Sequence, residues 1–222
     1  FLADEFMKSG WSMKHLHKLI VMSQTYRQAS VEHGAVSMEK DSSNRLLSHQ
    51  NPRRLDAETL HDTVLAVSGK LDLAAGGPGF RDFNYTEAYA PIYDYITPDK
   101  PELWRRSIYR FIVRTTPHQF MSTLDCPDPA NLTPARVQTT TALQALTLTN
   151  NEFMLQQSRY LSERIEGEIA ESSARITRAF ELCVQRKPTA SEQSAALALV
   201  KEHGMSALCR MLLNANEFVY VD

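Results

Sequence analysis

The chain has 222 residues, 43% hydrophobic and 23% charged, with a formal net charge of −2. That composition belongs to a globular protein and excludes the disordered class. No basic run exceeds Arg53-Arg54 or Arg105-Arg106, so the sequence carries no electrostatic footprint for nucleic acid and no such partner is expected.

No segment approaches the ~18 consecutive apolar residues of a membrane span. The three cysteines, Cys126, Cys183 and Cys209, have no CxxC spacing. A zinc ribbon, a thioredoxin motif and a CxxCH haem attachment are thereby excluded, and neither cofactor nor metal is expected in this segment. Cys183 and Cys209 sit in amphipathic patterns and read as buried thiols rather than a disulfide. The chain opens at Phe1-Leu2-Ala3-Asp4-Glu5-Phe6, already inside an amphipathic pattern. It is therefore expected to be the C-terminal part of a larger protein.

In chain order, residues 1–9 read as a helix closed by Gly10, and Ser12 as the N-cap of a helix over 13–27. His15 and His17, two apart, point in different directions and cannot form an i, i+4 metal pair. Residues 29–43 form a polar loop, and 44–50 one or two helical turns. The next helix spans 54–67, buries Ala57, Leu60, Val64 and Val67, and ends at Gly69. Residues 73–99, with Gly76-Gly77-Pro78-Gly79 and four tyrosines, read as a long loop of the functional or lid type. Residues 106–115 alternate Tyr109, Phe111 and Val113 with Arg110, Ile112 and Arg114, which predicts a strand. An irregular stretch, 117–134, follows. Thr141-Ala142-Leu143-Gln144 and Thr189-Ala190-Ser191-Glu192 are capping boxes. The first opens a helix disturbed at Asn150-Asn151, and a further helix carries Ile169, Ile176, Ala179, Phe180 and Cys183. The second box opens a helix stopping at Gly204, followed by a helix over 206–214 and an extended tail over 217–221. The fold class is mainly α: an irregular helical domain with long loops and at most short β-strands. Residues 1–222 form one domain, with a possible subdivision into a loop-rich part (1–134) and a helical part (135–222).

Several stretches carry a family resemblance. They are Gly10-Trp11-Ser12-Met13-Lys14-His15-Leu16-His17 with Thr25-Tyr26-Arg27-Gln28, and Arg54-Leu55-Asp56-Ala57-Glu58 with Ser68-Gly69-Lys70-Leu71-Asp72. Arg105-Arg106-Ser107-Ile108-Tyr109, Arg136 with Thr139-Thr140-Thr141-Ala142-Leu143-Gln144, and Leu213-Asn214-Ala215-Asn216-Glu217-Phe218 complete the set. In this order they resemble the planctomycete-type C-terminal domain of unknown function, which follows a second uncharacterised domain and often a cytochrome c-like domain. The resemblance implies an exported protein of the periplasm or cell envelope, with any haem in an upstream domain. It implies no catalytic residues. His61 stands where many relatives carry a basic residue.

Three constellations could carry chemistry. Arg54, Glu58 and Asp62, at i, i+4 and i+8, fall on one side of the 54–67 helix. Such carboxylates can share a proton, hold a divalent cation or clamp a sugar hydroxyl, or they can simply form a solvated or ion-paired face. Arg106, Arg110 and Arg114 would line one face of the predicted strand and suit an anion or the acidic stripe itself. His118 just beyond is a conceivable acid–base group. Arg136 with Thr139 could hold an anion at a helix start, although the capping box already accounts for the threonine run. The glycine cluster lacks the Lys-Ser/Thr of a P-loop, and no HExxH or GxSxG is present.

Two functions fit these residues. The first is a non-catalytic helical module, serving assembly or ligand binding, whose partners are upstream domains of the same polypeptide and a glycan or anionic ligand. The second is an enzyme domain acting on an envelope polysaccharide or other glycan, with Glu58, Asp62 and His118 as acid–base groups. An enzyme should bring those groups together in a concave pocket; a module should bury them as ion pairs or scatter them. The charge pattern further predicts that Arg54, Glu58 and Asp62 meet the arginines of the 106–115 strand in a polar network.

Overall fold

Ten α-helices carry the fold in the computed structural model, which describes residues 1–30, 41 and 43–221. Regular β structure among these residues is limited to two two-stranded sheets. The chain divides into two compact units, residues 1–53 with 220–222 and residues 54–219.

In the first unit α1 (Leu2–Lys8) runs into a turn at Gly10, whose φ of +67° favours a residue without Cβ. Ser12 caps α2 (Met13–Val21), its hydroxyl accepting from the His15 amide at 3.2 Å. The helix stops six residues short of the predicted end, and turns replace it. Phe6 and Trp11 meet edge to face at 5.2 Å. Residues 44–50 do not form a helix. The Asp41 carboxylate accepts from the Arg45 and Leu46 amides and Asn44 Oδ1 from the Ser48 amide, so side chains replace the i−4 carbonyls as acceptors. Of the polar loop predicted over 29–43, residues 31–40 and 42 lie outside the described residues. Strand β1 (Arg53–Arg54) pairs with β4 (Tyr220–Val221).

The second unit is built on α6 (Glu152–Glu168). Its Met154, Gln157, Ser158, Leu161 and Ile165 form a buried stripe at helical spacing. Against it pack α3 (Ala57–Ser68), α5 (Ala142–Asn150), α7 (Ser172–Val184) and α9 (Met205–Leu213), while α8 (Ala190–His203) packs on α7 and α9. Both capping boxes form as expected, on Thr141 with Gln144 and on Thr189 with Glu192. The disturbance at Asn150-Asn151 is a complete break. Asn151 adopts an extended backbone, ends α5 and caps α6 by accepting from the Phe153 amide. Leu60, Leu65, Leu161, Ile165, Ile176, Leu208 and Leu213 make the core. Cys126, Cys183 and Cys209 are free thiols, and burial pushes Cys183 up to about 12.

Three further elements depart from the sequence reading. The long loop over 73–99 contains a hairpin, β2 (Phe83–Thr86) antiparallel to β3 (Ile92–Tyr95), with Phe83 opposite Tyr95 and Tyr85 opposite Tyr93. Its aromatic rings pair across the strands at 5.2–5.9 Å. Most of its side chains are exposed, so it lacks the hydrophobic alternation that marks a half-buried strand. The predicted strand over 106–115 is not one. It opens as a 3-10 turn, Ser107–Tyr109, and its strand-type pairing among the described residues is limited to an isolated bridge of Arg110 to Phe80. The tail is not fully extended either. The Phe218 and Val219 amides both donate to Ala215 O, making α10 (Asn216–Val219) before β4.

Leu161 is fully buried on α6, whereas Leu143 is 60% exposed on α5. Leu161→Ala is expected to cost about 2–5 kcal/mol in chemical denaturation and Leu143→Ala about 0.5 kcal/mol or less. Equal costs at the two positions would contradict this core.

Candidate functional site

The outer face of α3 borders a cleft of about 810 Å³ within the second unit. Glu58, Thr59, Asp62 and Thr63 come from α3. Opposite them stand Ser107, Ile108, Phe111, Ile112 and Val113 from the segment that replaces the predicted strand. His118, Met121, Cys126 and Arg136 complete the wall. Apolar surface dominates, with Ile108 75% and Ile112 63% exposed.

The carboxylates that line this cleft are already partnered. Arg136 grips Glu58 with two parallel bonds, Nη1 to Oε2 and Nη2 to Oε1, both 2.7 Å. This fork holds Glu58 below the usual carboxylate range, against the opposing effect of burial. The Cys126 thiol donates to Glu58 Oε1 at 3.6 Å; burial and this carboxylate push the thiol up to about 11, so it stays protonated. Asp62 accepts at Oδ1 from the Ser107 amide at 2.7 Å and its hydroxyl at 2.8 Å, and at Oδ2 from Arg106 Nε at 3.4 Å. Burial alone would raise Asp62, but hydrogen bonds from His61 and Ser107 outweigh it and hold the group low.

Ser107, His61 and Asp62 resemble a catalytic triad in composition but not in geometry. A triad uses opposite ring nitrogens for serine and aspartate. Here the same nitrogen, His61 Nδ1, lies 2.9 Å from Ser107 Oγ and 3.3 Å from Asp62 Oδ1. His61 also stacks on Phe153 at 4.5 Å, and burial lowers it to about 4, so it is neutral at pH 7. The cluster is a clamp that ties residue 107 to α3.

His118 lines the cleft but serves as the N-cap of α4 (Gln119–Thr123), its Nδ1 accepting from the Met121 amide at 3.4 Å. Its Nε2 faces Asp82 at 3.4 Å, and Tyr95 stands edge-on at 4.7 Å. Burial and the neighbouring Arg110 guanidinium lower it to about 3. Arg110 is buried beside Asp82, Nη1 to Oδ2 at 3.4 Å, and burial raises the Asp82 pKa against the pull of Arg110.

The predicted stripes therefore come apart. Arg54 precedes α3 instead of lying on it, and binds Asp125 at 2.5 Å and Leu124 O at 3.3 Å. Of the three predicted strand arginines, only Arg106 meets the acidic pair, at Asp62. Arg110 goes to Asp82, and Arg114 is exposed with no ion pair among the described residues. The three cannot line one face because residues 107–109 turn instead of extending. Thr139 donates its amide and hydroxyl to Asp125, both at 2.8 Å. It thus serves the Asp125 hub together with Arg54 and Gln144. Arg105, outside the predicted set, holds the glycine turn by donating to Pro78 O, Gly76 O and Ala74 O. Asp82, Asp125, Ser107 and His61 are the polar centres that sequence reasoning missed. Each has at least one partner more than 10 positions away, which no local spacing reveals.

Residues 1–200 match the family described as Protein of unknown function (DUF1553). The chain belongs to that family. No match was found among curated proteins or among solved structures. In this DUF1553 chain no three His, Cys, Asp or Glu side chains among the described residues are grouped as a metal set, and no described helix is long and apolar enough to cross a membrane.

The buried neutral histidines give a signed pH dependence. Both folded pKa values, about 4 for His61 and about 3 for His118, lie below the ordinary 6.5. As pH falls below 6.5 the unfolded chain takes up protons that the folded chain refuses, so stability drops. Thermal melts from pH 7 to pH 4 should fall with a slope of up to about two protons, and His118→Gln should remove about one. The depressed Asp62 acts lower. Its contribution persists at pH 5 and fades as pH falls below 3.8, so the stability gap between wild type and Asp62→Asn should close there. A gap that widens on acidification would contradict the assignment.

Proposed function

We propose that this chain is a ligand-binding module and that its cleft holds an organic ligand with a broad apolar face without transforming it. The observation that carries this reading is the pairing of acids in the cleft. Glu58 and Asp62 both reach the cleft, yet Arg136 and Ser107 hold each as a low-pKa carboxylate. A general acid at neutral pH needs a raised pKa. His118 has both ring nitrogens directed at protein partners and is pushed down to about 3. An acid–base mechanism built on Glu58, Asp62 and His118 therefore lacks its proton donor, whereas a mostly apolar wall with fixed polar groups suits binding. Arg106, 57% exposed at the side chain, and the Arg136–Glu58 fork offer the polar edge of such a ligand its hydrogen bonds.

The setting we propose is an exported, multidomain, cytochrome-linked polypeptide of the cell envelope, with any haem in an upstream domain. This rests on the family resemblance. The exposed Phe1, Met7, Trp11 and Met13 of the first unit give upstream domains an apolar surface to meet.

The test uses anilinonaphthalene sulfonate, an aryl anion that fluoresces in apolar sites. Saturable binding is expected, weakened at least about tenfold by Ile108→Asp with Ile112→Asp, two exposed positions whose change should leave the melt intact. Incubation with cello- and chito-oligosaccharides should release no new reducing ends. Release that Glu58→Gln abolishes would replace this reading with the enzymatic one.

A further inference from the structure

A second cavity of about 200 Å³ shares Tyr95, Arg110 and His118 with the cleft. Its wall also takes in Asp82, Trp104 and Gln157. These side chains bury five polar atoms that have no hydrogen-bond partner among the described residues: Asp82 Oδ1, Arg110 Nε and Nη1, Trp104 Nε1 and Gln157 Nε2. Gln157 is fully buried and Asp82 is 5% exposed; the Arg110 side chain is 9% exposed. Buried polar groups are almost always paired, so a gathering of unpaired ones around one cavity points to a polar guest.

The positions of these groups are built in. Gln157 Oε1 accepts from Ser68 Oγ at 2.7 Å, which turns its amide hydrogens away from Ser68. Arg110 and Asp82 lie 3.4 Å apart and offset each other's charge, yet each keeps bonding capacity unused. Phe80, Phe153 and Tyr95 add flat apolar surface to the same wall.

We infer that this cavity is a second binding site, for one small uncharged polyol about the size of a single sugar ring. The set of one acceptor and four donors matches hydroxyls, which both donate and accept. An ionic guest would have to give up its hydration against a pair whose charges already cancel, a cost that hydroxyls avoid. Ring faces beside polar side chains suit the alternating C–H and O–H surfaces of such a molecule. The site holds several waters' worth of space and stands whether or not the cleft binds its own ligand.

The experiment titrates the full chain with glucose, galactose, mannose and myo-inositol, followed by ligand-detected NMR, with glycine and acetate as charged controls. At least one polyol should bind and neither control should. Trp104→Phe keeps the ring and removes a single N–H, so it guards against misfolding. It should weaken binding up to about tenfold, as should Asp82→Asn. Ile112→Asp, in the cleft alone, should leave polyol binding unchanged. The proposal is overturned if no polyol binds at tens of millimolar, if glycine or acetate binds instead, or if folded Trp104→Phe binds as tightly as wild type. It is overturned too if Ile112→Asp removes polyol binding, which would place the sugar in the cleft and leave the reading of the cleft intact.

Discussion

The Asp62 carboxylate, accepting from both the amide and the hydroxyl of Ser107, is the contact on which the architecture around the cleft depends. It fixes the start of the 107–118 segment to the outer face of α3. Once the Ser107 amide is spent on a side chain, it is not available to a ladder, and the next residues close a 3-10 turn. That turn sends Arg110 inward to Asp82 and leaves Ile108 and Ile112 facing outward along the cleft. The His61 ring, neutral and stacked on Phe153, supports the serine from behind and connects the clamp to α6.

Charge pairing follows from this arrangement. Arg54, Arg110 and Arg136 each find a different acid: Asp125, Asp82 and Glu58. Removing one partner from a buried pair leaves a desolvated charge, which is far more damaging than the pair is stabilising. The Arg54–Asp125 and Arg110–Asp82 pairs are therefore best understood as specifying which loop lies where. Arg136–Glu58, nearer solvent, ties Arg136 to the wall of the cleft at smaller energetic stake.

The same pairings decide the chemistry. Acid–base catalysis needs a group whose pKa lies near ambient pH. The groups around this cleft have been moved away from it: the carboxylates Glu58 and Asp62 down, the thiol of Cys126 up, the histidines down. What remains unspent is hydrogen-bonding capacity, concentrated on Asp82, Arg110, Trp104 and Gln157. Such groups offer hydrogen bonds that a bound molecule could take up.

Local physics made much of the helical framework legible in the residues. The capping boxes at Thr141 and Thr189, the stop at Gly69 and the apolar spacing of Ile176, Ala179, Phe180 and Cys183 each act within about two turns of helix, so sequence alone determined them. The membership of Glu58, Asp62, His118, Arg106, Arg110 and Arg136 in one cleft was partly legible, because α3 places Glu58 and Asp62 one turn apart on the same face. Their partners were not. Alternation over residues 106–115 reads as a strand, but a strand needs a neighbour for its amides, and here a carboxylate 45 positions away took the first of them. The hairpin of Phe83 and Tyr95 escaped for the converse reason: its cross-strand rings supply the pairing, while its largely exposed side chains leave little trace in hydrophobic pattern. Propensity and periodicity act over a few residues. Which buried arginine meets which acid is settled only when desolvation forces each charge to find a partner in three dimensions.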